Sequence, residues 1–535
     1  MTAVIAARAL GKRYKSRWAL TDCTLSVPAG RVAGLVGPNG AGKTTFLHLV
    51  TGLLAPTTGT IEVAGRQPAT DSAQLAKVGL MAQDTPVYAG FSIADHLRLG
   101  AHLNQRWDAR YADDRIRKLG LDPAQKAGRL SGGQRAQLAL TLAIAKRPEL
   151  LVLRLPDRAG RRPRAGRRRH QGPARRRTDQ PRKPGPAPHG GITMTWLTWR
   201  QFRIQALAAA AALTALAVVY AMTGPNLAHL YDSSGLASCH THGDCPALLS
   251  NFLTQLKSGG TYPFLYFLGA AILYLLPPVI GAFWGAPLVT RELEAGTLRL
   301  AWNQSVTRAR WMTVKLGLLG LAAAITAGLL SLEITWWAGP IDRAGGFPVG
   351  LSQLSRFSPL VFGARGLAPV GYAVFAFVLG VTIGVLVRRT VPAMALTLIV
   401  LAAALLAWPN FVRPSLIAPV QATSAAIISL SDATVHSDGQ ISVPVTGLPG
   451  AWLISDETLT PAGHVFVLPD VSACQSGTQQ QCDTWLAGQH LRQWISFQPA
   501  SRFWEFQWYE TAIYLAFALA LAGGCILWVR YRRLS

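Results

Sequence analysis

The sequence predicts an α/β domain that stops short of completion, followed by an all-α region that crosses a membrane six times. Three observations carry this prediction. The glycine-rich stretch Gly34 to Thr45 stands between an apolar run, Val32 to Val36, and a helix-like run, Phe46 to Leu54, which is the strand–turn–helix order of an α/β unit. Half of the 535 residues are hydrophobic and only 15% are charged, more apolar than soluble chains are. The net charge of +26 is unevenly spread: residues 154–190 hold thirteen Lys/Arg against two acids, Asp157 and Asp179.

The first domain, residues 1–153, opens with strand-like VIAARAL and WALTDCTLSV, followed by a turn at Pro28 to Gly30. Gly37, Gly42, Lys43 and Thr44 fill the pattern G-x-x-x-x-G-K-[ST]. Each residue type has a physical reason. Glycines let backbone N–H groups curl round a phosphate chain without Cβ clashes. Lys43 suits the β- and γ-phosphates, and the Thr44 hydroxyl suits Mg²⁺. Gly37, Pro38, Asn39, Gly40, Ala41, Gly42, Lys43, Thr44 and Thr45 are therefore the candidate phosphate cradle. Beyond it, Ile61 to Val63 reads as a short strand and KVGLMAQD as a buried strand ending at Gln83. SIADHLRLGAHL and RYADDRIRKLGL carry helical spacing of apolar residues. Ser131 stands as a helix cap before an Ala/Leu-rich run, and Leu150 to Leu153 reads as another strand.

The phosphate loop, Gln83 and the run LSGGQ (Leu130 to Gln134), in this order, resemble the ATP-binding cassette of ABC transporters. The resemblance implies ATP and Mg²⁺ as cofactors. It implies that Tyr14 stacks on adenine and that Gln83 contacts Mg²⁺ and the attacking water. It implies that Ser131, Gly132, Gly133 and Gln134 close on ATP held by another cassette, in a homodimer or with a partner ABC subunit. In that family the strand after LSGGQ ends in Asp-Glu, the carboxylates that orient Mg²⁺ and polarise water. Here Arg154 and Leu155 occupy those positions. A guanidinium in place of a carboxylate turns attraction to Mg²⁺ into repulsion, a swing on the order of 4 kcal/mol for a unit pair at ~4 Å. Leu155 has no group to act as a base. No intact catalytic residue is therefore expected.

Residues 154–193 form an Arg/Pro/Gly-rich joint with seven prolines from Pro156 to Pro188 and no apolar periodicity. Its composition cannot build the remaining strands of a cassette. Three readings stay open: a disordered basic linker that touches anionic lipid, a nucleic-acid-binding tail, and a GC-rich gene read out of frame. The lack of interleaved aromatic residues argues against nucleic acid.

Met194 opens the third region, residues 194–535. TWLTWRQFR reads as a short interfacial helix. Six apolar runs follow, each near the ~20 residues a bilayer needs: Ile204–Met222, Phe264–Val289, Val314–Trp336, Leu367–Val387, Val391–Trp408 and Ala512–Val529. Pro277-Pro278 predicts a kink in the second. Basic residues flank the spans at Arg200 and Arg203, at Arg291 to Lys315, at Arg388 and Arg389, and at Arg530 to Arg533. By the positive-inside rule these sides face the cytoplasm. The expected place is a bacterial cell membrane, with several passes and both termini cytoplasmic, since MTAVIAARALGKRYK is too short in apolar run for a cleavable leader.

Cys239/Cys245 and Cys474/Cys482 are close pairs in polar stretches, and they then fall outside, where disulfides form. A metal site with His240 and His242, and free thiols, are the other readings of these cysteines. Residues 409–509 read as a small external segment with short β-like runs, QISVPV, AWLIS and HVFVL. The loop TRELEAGTLRLAWNQSVTRARW resembles the coupling region of type-2 ABC exporter permeases. That resemblance assigns coupling to Arg291, Glu292, Glu294, Gly296 and Thr297. Glu333, near the end of the third span, reads as a substrate or structural contact, or as an outer-interface residue. No feature of the spans names the exported substrate.

Overall fold

The computed structural model describes residues 3–154, 190–236, 245–302, 304–349, 352–425, 434–435, 441–442, 450–467 and 479–531. The chain divides into two compact units. One comprises Met1–Arg203, Leu288–Leu318 and Gly523–Ser535, and the other Ile204–Pro287 and Leu319–Ala522.

In the first unit, β1 (Ala3–Tyr14) and β2 (Arg17–Pro28) form a hairpin, and β3 (Thr58–Val63) pairs with the other edge of β1, giving an antiparallel sheet ordered β2-β1-β3. Between β2 and β3 lies α1 (Lys43–Val50). After β3 come α2 (Ser72–Lys77), capped by the Asp71 side chain, and β4 (Val78–Met81). Three helices follow: α3 (Ile93–Leu103), α4 (Ala109–Lys118) and α5 (Gly132–Ala145). The last strand, β5 (Leu150–Leu153), pairs in parallel with β4, in the register Val78 to Leu150 through Met81 to Leu153.

Two apolar clusters hold this unit. Phe46, Leu49 and Val50 on α1 pack on Ile5, Leu10, Ile61, Val63, Val78 and Val152, which fastens the antiparallel sheet to the parallel pair. Ile93, Leu97, Ala112, Ile116, Leu138 and Leu142 join α3, α4 and α5, with Leu300 packed against them. These spacings are the i, i+3, i+4 stripes of amphipathic helices.

One expected strand is absent. Residues 31–38 have no strand pairing, and Val32 and Val36 are 104% and 91% exposed. The reason is the lack of a pairing strand among the described residues. A strand needs a ladder partner, and β4 and β5 form a two-stranded sheet whose β5 edge is open among the described residues. The joint's residues 155–189 lie outside the described residues.

The second unit holds most of the apolar helical length. Among the described residues, six helices are long and apolar enough to cross a membrane: Met194–Ser233, Thr261–Glu294, Arg308–Trp337, Ala368–Val387, Thr390–Ser415 and Ala500–Arg530. The expected separate interfacial helix is not formed. TWLTWRQFR is continuous with the first span in one helix, Gly190–Ser233, because neither Gly nor Pro interrupts the join at Arg203. Helix continues through Pro277-Pro278 and gives way to a π-helical turn, Ile280–Gly285, which takes up the irregularity there. That turn lies close to the fourth span. A Cβ on Gly380 would come within 2.2 Å of Gly281 O, and one on Gly285 within 2.4 Å of Phe377 O, so small residues allow the approach.

At one end of this unit a buried group joins three elements. Arg413 Nε donates to Glu510 Oε2 at 2.9 Å, Tyr372 Oη donates to Glu510 Oε1, and the Arg413 guanidinium lies 4.1 Å from the Phe362 ring centre. The segment between the fifth and sixth spans forms an antiparallel sheet in which Arg492–Gln498 lies between Trp452–Leu459 and Val420–Ala425. AWLIS belongs to the Trp452–Leu459 strand, the described part of QISVPV is the strand Ile441–Ser442, and HVFVL contributes a bridge at Val465.

The cysteines expected to pair divide in the structure. Cys482 is buried and disulfide-bonded. Cys245 opens a helix, Cys245–Ser258. The reason is Pro246, whose fixed φ and missing N–H suit the first turn of a helix. Cys239 and Cys474 lie outside the described residues, so a Cys239–Cys245 disulfide is not among the described features and stays an expectation.

Candidate functional site

The phosphate loop enters α1 through two glycines in the left-handed region, Gly40 at φ 86° and Gly42 at φ 79°. Gly42 also sits tightly against β2: an added Cβ would fall 2.5 Å from Ala19 O and 3.3 Å from Leu20 Cδ1. A side chain at this position would be strained twice, by backbone and by contact. Lys43 folds back on the loop, donating to Gly37 O at 2.5 Å and Pro38 O at 2.8 Å. The N–H groups of the first turn of α1, at Lys43, Thr44 and Thr45, are ones that helix geometry leaves without intrahelical acceptors. This arrangement suits a phosphate chain: N–H donors, a positive helix end and an ammonium within one turn.

The metal side is poorer. Thr44 and Gln83 offer neutral oxygens, and Gln83 lies exposed two residues past β4. Arg154, directly after β5, is placed by its N–H, which donates to Met81 O at 3.1 Å. No group of three or more His, Cys, Asp or Glu side chains capable of holding a metal occurs among the described residues. The loop thus gathers N–H donors and an ammonium within one turn, with the neutral oxygens of Thr44 and Gln83 on one side and Arg154 directly after β5.

Tyr14 ends β1 at the hairpin tip, with Lys12 Nζ 5.7 Å from its ring centre. The motifs of the sequence do not point to Trp18. On β2 it shares a face with Leu20, whose side chain lies nearest Gly42, and it is 41% exposed. Strand alternation counted from the phosphate loop is the signal that finds it. Ser131 caps α5 in a reciprocal capping box: Gln134 N–H donates to Ser131 Oγ at 3.3 Å and Ser131 N–H to Gln134 Oε1 at 2.9 Å. Gly132 and Gly133 begin the helix with nothing within 4 Å of an added Cβ, so this helix end is open to approach.

The coupling residues separate into two sets. Arg291 and Glu294 are exposed on the helix Pro287–Glu294. Glu292 and Thr297 are buried, and Gly296 lies against the α/β domain. Gly296 makes the turn at φ 69°, and an added Cβ would lie 3.6 Å from Pro86 and 3.7 Å from Asp84, just after Gln83. Glu292 is buried. Its Oε1 accepts from Lys315 Nζ at 2.5 Å and from Gln201 Nε2 at 3.0 Å, and Lys315 stacks 4.5 Å from the Trp311 ring centre. Burial, with the Glu292 carboxylate nearby, pushes the Tyr88 hydroxyl well above the usual phenol range, so it stays neutral.

Around this core lie further contacts that residue spacing did not single out. Arg200 pairs with Asp95 on α3 and stacks 5.8 Å from the Phe91 ring centre. Burial alone would raise the Asp95 pKa, but hydrogen bonds from Ser92 and Arg200 outweigh it and hold the carboxyl below its ordinary value. Asn104 donates to Gln304 Oε1 at 2.7 Å and accepts from Ser305 at 3.0 Å. Arg308 Nη2 donates to Gly52 O at 3.0 Å and Leu53 O at 3.2 Å. Nothing in the local pattern marks these residues, because their partners lie 105 to 256 positions away.

Residues 20–154 match the family model described as ABC transporter, and residues 210–413 match that described as ABC-2 membrane transporter related. This one chain joins an ABC-transporter ATP-binding segment to an ABC-2-related membrane segment. The ATP-binding segment resembles the Fe(3+) ions import ATP-binding protein FbpC 2 of Rhodococcus jostii, at 35% identity over 162 residues, 29% of this chain and 46% of that protein. It also resembles the aliphatic sulfonates import ATP-binding protein SsuB of Cupriavidus necator, at 38% identity over 151 residues, 28% of this chain and 49% of that protein. The chain spans about half the length of these curated relatives. A solved ATP-binding subunit of an ABC transporter aligns with a TM-score of 0.26 and 25% identity, over 28% of this chain and 65% of the other. The family match to the ATP-binding segment ends at Arg154, where the carboxylate-bearing positions should begin.

Proposed function

We propose that this chain is a membrane subunit of an ABC-type export assembly that binds Mg-ATP and passes the binding event to its spans, without hydrolysing ATP on its own. The observation that carries the reading is the pairing of an intact cradle with Arg154 at the end of β5. Gly37 to Thr45 keep the donors a triphosphate needs, and β5 delivers a cation where the chemistry needs carboxylates. Mg²⁺, when bound, would neutralise charge on the phosphates. Thr44 and Gln83 are the residues placed to touch it, while Tyr14 or Trp18 would stack on the adenine.

Transmission would run through Glu292, Gly296 and Thr297 into the helices that begin at Pro287 and Arg308. The open α5 end at Ser131 to Gln134 suits a phosphate held by a second cassette, so the working form would be a homodimer or a complex with another ABC subunit. Outward transport rests on the ABC-2-related membrane match and on the R-E-x-E-x-G-T pattern from Arg291 to Thr297. The relatives named for import match in the ATP-binding segment alone, which leaves the membrane path out of that likeness. A multi-pass cell-membrane location with both termini cytoplasmic follows from the Lys/Arg flanks. The test measures ATP binding and phosphate release separately on protein purified into lipid. Phosphate release abolished by Lys43→Ala would overturn the non-hydrolysing reading.

A second reading has its own observation. The exposed apolar run Val32 to Val36 is a strand sequence without a strand's partners. A gene whose codons for residues 154–193 are read out of frame gives that outcome, with the lost strands encoded in another frame. Sequencing the DNA across codons 150 to 195 decides it. An Asp-Glu pair and a later histidine in another frame would favour this reading, and their absence from all frames would contradict it.

A further inference from the structure

A concavity of about 630 Å³ lies between the loop after α1 and the residues that open the helix Arg308–Trp337. Its size falls in the range of small-molecule sites. Two guanidinium groups line it, Arg308 and Arg530, and among the described lining residues there is no Asp or Glu. Arg308 is held rigidly by Gly52 O and Leu53 O and by Trp302, whose ring centre is 4.6 Å away. The buried Trp302 Nε1 has no hydrogen-bond partner. Much of the remaining wall is apolar, including Leu53, Leu54 and Val306.

The position of the two arginines narrows the ligand. Arg308 is the first residue of one membrane-capable helix and Arg530 the last of another. Both cations therefore stand at helix ends that flank apolar spans, where the headgroup of a lipid would come within reach. A soluble anion would use the charge but not the apolar wall, whereas a phospholipid uses both. We propose that this cavity binds the phosphodiester headgroup of an anionic phospholipid. The bound lipid would tie the loop Thr51–Pro56 of the ATP-binding segment to the start of the third span and the end of the sixth, making attachment of that segment depend on lipid.

Native mass spectrometry of the full chain in neutral detergent tests this, with phosphatidylglycerol, phosphatidylcholine and inorganic phosphate as separate titrants. Phosphatidylglycerol should bind about tenfold more tightly than phosphatidylcholine. Arg530→Gln should reduce that preference about fivefold. Gln67→Glu, which adds a carboxylate at an exposed lining position, should do the same without disturbing the core. Arg203→Gln, at an exposed arginine outside the cavity, should leave the preference unchanged. An undiminished preference in both Arg530→Gln and Gln67→Glu would overturn the proposal. Displacement of the lipid by millimolar inorganic phosphate would overturn the lipid assignment in favour of a soluble anion.

Discussion

At the scale of single residues, the balance between charge and burial decides what is fragile. Glu292 and Lys315 are both buried, and Glu292 Oε2 has no hydrogen-bond partner. Removing one partner strands the other charge. Lys315→Met alone should cost about 3–5 kcal/mol, while Lys315→Met with Glu292→Leu should recover most of that loss. Denaturation midpoints of the detergent-purified chain measure both, and equal midpoints for the single and double variants would contradict the account. Lys146 gives a pH signature. It is buried at the end of α5, donates to Val78 O at 2.9 Å, and burial lowers its pKa to about 7. The folded state therefore binds fewer protons than the unfolded chain between about pH 7 and 10. Stability should rise across that window, by roughly 1–3 kcal/mol between pH 7 and 9. Lys146→Met should flatten the rise, as followed by unfolding at a series of pH values. His96 acts in the same direction at lower pH. Burial lowers its pKa, and Tyr88 N–H donates to its Nε2 at 3.1 Å, so protonation costs that bond.

At the scale of elements, local pattern was informative wherever the partner was near in sequence. The alternation in VIAARAL and WALTDCTLSV marked a hairpin, and Ser131 with Gln134 marked the start of α5, because a capping box is complete within four residues. Ser131→Ala should destabilise α5 by about 1 kcal/mol. Hydrogen exchange at the amides of Gly133 and Gln134 would report it, and unchanged protection there would count against the cap. The same reasoning failed at Val32 to Val36. Its composition is right for a strand, but strand formation depends on neighbours, and none pairs with it among the described residues. It failed in the opposite sense at TWLTWRQFR, where helical continuity from Gly190 to Ser233 outweighed the amphipathic pattern. Arg492–Gln498, the central strand of its sheet, went unread beside the more obvious AWLIS because its register is set by Trp452–Leu459 and Val420–Ala425. In the candidate site, the cradle was legible as a motif. The contacts of Glu292 with Gln201 and Lys315, and of Asn104 with Gln304, were not, since long-range pairing has no local signature.

For the molecule as a whole, the ATP-binding segment is tied to residues that open membrane-capable helices, and on the proposed reading its reaction centre lacks carboxylates. Arg308, Arg200 and Gln304 give three separate attachments between the α/β domain and the residues that lead into the spans. Their retention beside a missing Asp-Glu pair is the central fact to explain. An assembly that uses this chain as a nucleotide-responsive arm needs the attachments and the cradle, whereas one that uses it as an engine needs the carboxylates as well. The decisive measurement is a paired assay on the purified chain in lipid vesicles, with Mg-ATP binding and phosphate release read from one preparation. The account predicts saturable binding, weakened about 10–100-fold by Lys43→Ala, and phosphate release no greater than that of the same variant. Phosphate release that exceeds the Lys43→Ala background and follows ATP occupancy would contradict it.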